Sequence, residues 1–162
     1  MTRTLVATAA VAMLAACSTL DCPMNSRVMA KYKLAGEVAT LADTLTVSTT
    51  RTGGDGNDTV LVNRITATDS LSLPMSYSLA ADTLYFTLTQ EGSGIATTDT
   101  VCVEKTNMPH FEAIDCTPSM FHEITGIDYT RHNIDSIKVN YNKVTNNDAK
   151  AHFLIYFKNN SR

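Results

Sequence analysis

Apolar residues in this chain recur at every second position, and that regularity restricts most of it to extended strands. From Val28, the residues Val28, Ala30, Tyr32 and Leu34 alternate with Met29, Lys31 and Lys33, which places one set on each face of a half-buried strand. The alternation returns at Leu45/Val47/Thr49, Leu71/Leu73, Leu84/Phe86/Leu88, Val101/Val103, Ile124, Ile137/Val139/Tyr141 and Phe153/Ile155/Phe157. Turn-forming residues separate these runs at Gly53-Gly54-Asp55-Gly56-Asn57-Asp58, Ala80-Ala81-Asp82, Gly92-Ser93-Gly94, Asn107-Met108-Pro109 and Asn146-Asn147-Asp148. Gly126 and the stretch Thr130-Arg131-His132-Asn133 mark a bulge or a short helical turn. Short strands, closely spaced turns and little helical periodicity predict an all-β fold, an antiparallel β-sandwich of immunoglobulin-like character, over residues 27–162.

The amino terminus follows a different pattern. Arg3 precedes an apolar run, Leu5 to Leu14, that is too short to span a bilayer as a helix. Two small residues follow, and then a thiol. Leu14-Ala15-Ala16-Cys17 resembles the lipobox of bacterial lipoproteins. This resemblance implies a signal peptide over residues 1–16, a lipid-modified Cys17 and a small, polar tether over residues 17–26. The alternative is an ordinary secretory signal in which Cys17 is incidental. Two or three acyl chains exceed what a single chain provides for stable anchoring, so the mature protein should stay on the membrane. Cleavage leaves 162 − 16 = 146 residues, enough for one domain with one core. It also removes Arg3 and moves the net charge from −3 to −4. With acids and bases interspersed, this balance offers no basic patch for nucleic acid and no attraction for anionic headgroups. No acidic run follows Cys17, which favours the inner, periplasm-facing leaflet of a bacterial outer membrane over the cell surface.

One triplet repeats: Asp, then Ser or Thr, then an aliphatic residue. It occurs at Asp43-Thr44-Leu45, Asp58-Thr59-Val60, Asp69-Ser70-Leu71, Asp82-Thr83-Leu84, Asp99-Thr100-Val101 and Asp135-Ser136-Ile137. Position explains the count: Asp favours a turn, the hydroxyl residue tolerates a strand edge, and the aliphatic residue begins the buried face. The triplet also resembles the acceptor of a general O-glycosylation system of exported Bacteroidota proteins. That resemblance would make Thr44, Thr59, Ser70, Thr83, Thr100 and Ser136 the acceptor hydroxyls.

A wider set of motifs carries a family resemblance. The set comprises the lipobox with Asp21-Cys22-Pro23, Ser72-Leu73-Pro74-Met75, Asp82-Thr83-Leu84-Tyr85-Phe86, Asp99-Thr100-Val101, Cys116, Asn133-Ile134-Asp135-Ser136-Ile137 and Ala151-His152-Phe153-Leu154-Ile155-Tyr156-Phe157. Through these the chain resembles a Bacteroidota lipoprotein family known as domain-of-unknown-function family six-four-five-two. Thr117-Pro118 stands where that family has Gly after the central Cys, and Cys102 has no counterpart in it. The resemblance implies no activity. It does bear on the cysteines, because with Cys17 acylated, Cys22, Cys102 and Cys116 remain in an oxidising compartment as one pair and one leftover. A hairpin turning at Met108-Pro109 would set Cys102 nearly opposite Cys116. The resemblance instead implies Cys22–Cys116, since those two positions match the family.

No residue pattern here supplies a reaction centre. His110, His122, His132 and His152 show neither helical nor same-strand ligand spacing, so surface or strand histidines are expected and no metal site is assigned. His122-Glu123 lacks the second histidine of a zinc-protease motif, and neither a nucleophile elbow nor a phosphate-cradling loop occurs. Gly53-Gly54-Asp55-Gly56-Asn57-Asp58-Thr59-Val60-Leu61 fits a calcium-binding nonapeptide, but a single copy supplies only part of the six to eight oxygens calcium takes. A hairpin loop without a tight calcium site is therefore expected. Trp is absent, and the six Tyr mostly alternate with apolar residues as sheet packing with a wet hydroxyl. The expectation is a non-enzymatic, lipid-anchored envelope domain without cofactor, binding a protein or another envelope component. A glycan-binding module of a nutrient-uptake system is the alternative, and an enzyme with a loop-assembled site is a more distant one.

Overall fold

The computed structural model describes Cys22 and residues 27–50, 58–146 and 148–159. Ten strands form: β1 (Met29–Leu34), β2 (Thr44–Thr50), β3 (Asp58–Ile65), β4 (Ser70–Pro74), β5 (Ala81–Thr89), β6 (Ala96–His110), β7 (Ser119–Tyr129), β8 (Ile134–Val139), β9 (Lys143–Val144) and β10 (Phe153–Phe157). They build two sheets, one ordered β4-β1-β10-β8 and the other β3-β2-β5-β6-β7-β9.

The period-two pattern explains how the sheets meet. Ala30, Tyr32 and Leu34 from β1, Leu71 and Leu73 from β4, and Phe153, Ile155 and Phe157 from β10 are all buried. They belong to the same core as Leu45 and Val47 of β2, Leu84, Phe86 and Leu88 of β5, Val101 and Val103 of β6, and Ile124 of β7. Tyr32 stacks on Phe153 in its own sheet with ring centroids 4.6 Å apart, and it meets Phe86 of the facing sheet at 6.0 Å. This is the expected all-β sandwich. All strand pairs are antiparallel except β1 with β10, which run parallel with Tyr32 opposite Phe153. In a constant-type immunoglobulin domain the first strand lies beside the second. Here β1 lies between β4 and β10.

Some local expectations require correction. Asn107-Met108-Pro109 is not a turn but the end of β6, paired with Phe121 and Met120 through Met108 and Pro109. Its partner β5 begins at Ala81, opposite Glu104. Beyond that point β6 is an edge that pairs with β7 alone, while β7 also meets β9 at His122 and Glu123, and a proline without an N–H is tolerated at such an edge. Ala81 and Asp82 likewise belong to β5 rather than to a turn. Val139 is 41% exposed at the end of an outer strand, and Tyr141 lies beyond it. The Gly126 region does bulge, since Glu104 pairs with Gly126 while Lys105 pairs with Ile124. Gly92-Ser93-Gly94 turns between β5 and β6, with both glycines at positive φ. Gly36, just after β1, has φ +84°, and a Cβ there would lie 2.9 Å from the Tyr156 ring, so only glycine fits without displacement.

Candidate functional site: a buried lysine beside a hydroxyl-lined groove

The register that carries β6 past the end of β5 also turns Lys105 inward. Its side chain is 0% exposed, an expensive position for an ammonium unless its protons are matched. They are matched by neighbours from three segments. Lys105 Nζ donates to Ser76 Oγ at 3.0 Å, to the Leu79 carbonyl and to Asn107 Oδ1 at 3.3 Å, and it pairs with Asp82 Oδ2 at 3.5 Å. Asp82 in turn accepts from the Ser76 N–H at 3.1 Å. Burial lowers the Lys105 pKa, and the adjacent Asp82 charge opposes that shift.

His122 on β7 completes the cluster. It is 1% exposed, and Nδ1 lies 2.8 Å from Asn107 Oδ1, a carbonyl oxygen, so Nδ1 carries the proton and donates. Burial, reinforced by the Lys105 charge and resisted by Asp82, pushes its pKa down to about 4. Tyr32 is also fully enclosed, so the wet hydroxyl expected of it is corrected. Burial first, and the Asp82 charge second, raise its pKa far above the ordinary value.

The cluster holds the 75–80 connection, because Asn107 Nδ2 also donates to the Leu79 carbonyl at 3.0 Å and the Lys105 N–H to the Ala80 carbonyl at 2.8 Å. That connection forms one wall of an open groove of about 730 Å³ whose lining includes Arg27, Thr49, Thr50, Thr59, Tyr77 and Asp82. Tyr77 is anchored by donating its hydroxyl hydrogen to the Pro118 carbonyl at 2.6 Å. The groove is thus lined by a tethered aromatic ring and by threonines, of which Thr49 donates its hydroxyl hydrogen to the Thr83 carbonyl at 2.7 Å and Thr50 shares a hydrogen bond with the Tyr85 hydroxyl, a surface suited to reversible polar contacts. Lys105 lies beneath it with its donors engaged.

Two further ionisable centres are structural in their geometry. His152 is 0% exposed and uses both ring nitrogens, Nδ1 accepting from the Lys31 N–H at 2.8 Å and Nε2 facing Asp148 Oδ2 at 3.0 Å. Asp148 also accepts from the Thr145 N–H and hydroxyl. Burial alone would raise its pKa, but the Thr145 bonds and His152 outweigh that and lower it. Asp99, 1% exposed, accepts four bonds: from the Thr130 hydroxyl at 2.8 Å and from the N–H groups of His132, Asn133 and Ile134 at 2.6, 2.7 and 3.0 Å. There too burial opposes, and the hydrogen bonds prevail to depress the pKa.

The residues singled out in the sequence fall as follows. Cys22 and Cys116 form a disulfide with Cα atoms 5.4 Å apart, and Cys102 is free. The alternative Cys102–Cys116 pair fails because the Met108-Pro109 turn it needs does not exist, and Cys102 sits opposite Asp128 instead. Cys17 lies outside the described residues, as do residues 53–57 of the calcium-like nonapeptide. Its Asp58 opens β3 opposite Thr50, and among the described residues no group of three potential metal ligands assembles. Of the acceptor hydroxyls, Thr59 and Ser70 are exposed, while Thr44, Thr83, Thr100 and Ser136 are half-buried. The positional account of the triplet holds for five aliphatic members but not for Val60, which is 54% exposed. It also fails for Asp82 and Asp99, which are buried within strands, and for Asp135, which lies exposed inside β8, none of them placed in a turn. His122 and His152 are core residues, whereas His132 is exposed, and His110 stacks on Phe121 at 4.4 Å. Sequence reasoning missed the Lys105 cluster, whose only signal was a charged residue in the phase of Val101 and Val103.

No curated protein and no solved structure matches the chain. The model of a family of unknown function, DUF6452, matches residues 44–157, well over half of the chain, and the protein belongs to that family.

Proposed function

We propose that this protein is a lipid-anchored module of the bacterial cell envelope, held at the outer membrane through Cys17, and that it binds a protein or another envelope component without catalysing a reaction. The observation that supports this most is the disulfide. Cys22 stands five positions after Cys17 and is covalently joined to Cys116 in the β6–β7 turn. Arg27 then bridges to Met120 on β7. A lipid on Cys17 would therefore act on the end of the sandwich that carries the 75–80 wall and the mouth of the groove. Replacing Cys17 with Ala should move the protein from the carbonate-washed membrane fraction to the soluble fraction. Retention of Cys17→Ala in washed membranes would defeat the anchoring half of the proposal.

A glycan is the second occupant the groove favours, because the partly exposed ring of Tyr77 lines it together with Thr49, Thr50, Thr59 and Ser76. Retardation of the soluble domain in polysaccharide-containing native gels separates this reading from a protein partner.

A further inference from the structure

Single exposed apolar side chains are ordinary on a protein surface, but their grouping at one place is not. Of the nine large hydrophobic residues exposed among the described residues, six lie at one end of the sandwich: Met29, Tyr77, Leu79, Met108, Phe111 and Ile114. Tyr77 reaches Pro118, and Leu79 is held by Lys105 and Asn107, so the 75–80 connection lies against the β6–β7 ribbon. Met29 pairs with Pro74 just before that connection. The outermost feature is the β6–β7 turn, where Phe111 is 62% and Ile114 98% exposed.

The same turn contains Cys116, bonded to Cys22. The five Cα–Cα steps from Cys17 to Cys22 reach at most about 18 Å. With the 5.4 Å between the Cα atoms of Cys22 and Cys116 and the two residues from there to Ile114, the disulfide keeps the most exposed apolar tip among the described residues within about 30 Å of the lipid-bearing residue. The charge at the tip fits a bilayer entered through its apolar side chains rather than through ionic attraction. No Lys or Arg occurs from Thr106 to Thr130, and the titratable groups around the tip are Glu112, Asp115 and His110, the last lying 3.5 Å from Glu112, with Arg27 behind them, bridged to Met120.

We propose that the β6–β7 turn inserts Phe111 and Ile114 into the interfacial layer of the bilayer that carries the Cys17 lipid, making a second membrane contact that stands the sandwich on end. This rests on the reading of Cys17 as lipidated. The lipid supplies residence on the membrane, and the two side chains supply orientation. The groove mouth then faces the membrane-proximal space, while the β5–β6 hairpin with Ile95 points away. The fifteen residues of β6 separate the two ends by about 45 Å.

The chain contains no Trp, so one introduced Trp reports alone. The full-length lipoprotein carrying Ile114→Trp, and separately Ile95→Trp, is reconstituted into phosphatidylethanolamine/phosphatidylcholine vesicles with and without brominated acyl chains. Both positions are exposed, and Phe111→Trp serves as a second tip probe. The expected result is blue-shifted tip emission quenched about twofold by the brominated lipid, insensitive to salt, with Ile95→Trp unaffected. If the protein floats with the vesicles and its intact mass shows the lipid, yet neither tip probe is quenched more than Ile95→Trp, insertion is wrong and the anchor stands. Equal quenching at both ends overturns the end-on orientation. Absence of lipid from Cys17 overturns the anchor and the insertion together.

Discussion

Burial makes His122 intolerant of a proton, and the neighbouring Lys105, whose ammonium is met by Asp82, Ser76, Asn107 and the Leu79 carbonyl, adds to that intolerance. Protonated, His122 would add a second cation beside Lys105 in a site closed to water. With a pKa of about 4 folded and an ordinary histidine value near 6.5 unfolded, the unfolded chain binds more protons between those values. Stability is therefore complete above pH 6.5 and declines as the pH falls toward 4, by about 3 kcal/mol in all. Urea unfolding at a series of pH values should show this decline. His122→Gln, which retains a donor for Asn107 but cannot titrate, should flatten the profile over the same interval. An unchanged slope in His122→Gln would assign the acid sensitivity to another group.

At the scale of elements, Asp99 fastens the β7–β8 connection to β6 through its four accepted bonds. Asn in its place offers one acceptor oxygen and turns an NH2 toward donors, so at least one N–H loses its partner. Asp99→Asn should cost about 2–4 kcal/mol and remove hydrogen-exchange protection from His132 to Ile134 while sparing β5. Protection retained there would show that the connection is held by other means. Because the folded pKa of Asp99 is depressed, its contribution is present above the unfolded value near 3.9 and is lost as the pH falls through the folded value. The acid step from Asp99 thus lies below the one from His122. Neither group was legible in the sequence, although the strands around them were. Leu84/Phe86/Leu88 and Val101/Val103 state their burial by alternation alone, whereas Asp82 and Asp99 sit in triplets that look the same as the turn-entry triplets at Asp43 and Asp69. Local chemistry is identical in these triplets, and only the long-range partner, Lys105 or the 130–134 backbone, decides whether the carboxylate is buried. Asn107-Met108-Pro109 misled for a related reason: proline marks a turn only where a strand needs its N–H, and β6 has no β5 partner there.

For the whole molecule, the disulfide determines how the amino-terminal chain is joined to the sandwich. β1 lies between β4 and β10, and tension on a free leading segment would act directly on that strand. With Cys22 bonded to Cys116, tension on the leading segment is delivered to the β6–β7 turn, whose two strands share the longest ladder among the described residues. The bond closes a loop with a sequence separation of 94, which in the chain-entropy picture contributes about 4–5 kcal/mol by restricting the unfolded state. The core joins residues from β1 to β10 without help from Cys22, so the fold should survive loss of the bond. The paired substitution Cys22→Ser with Cys116→Ser should retain the β-sheet circular dichroism of the parent. Its urea midpoint should fall by an amount equivalent to about 4 kcal/mol, and its denaturant slope should steepen as the unfolded chain expands. The pair must be removed together, because a lone Cys116 could form a new bond with the free Cys102 once the chain opens. A midpoint unchanged by the double substitution would mean that the bond leaves domain stability untouched and serves only to position the amino-terminal chain.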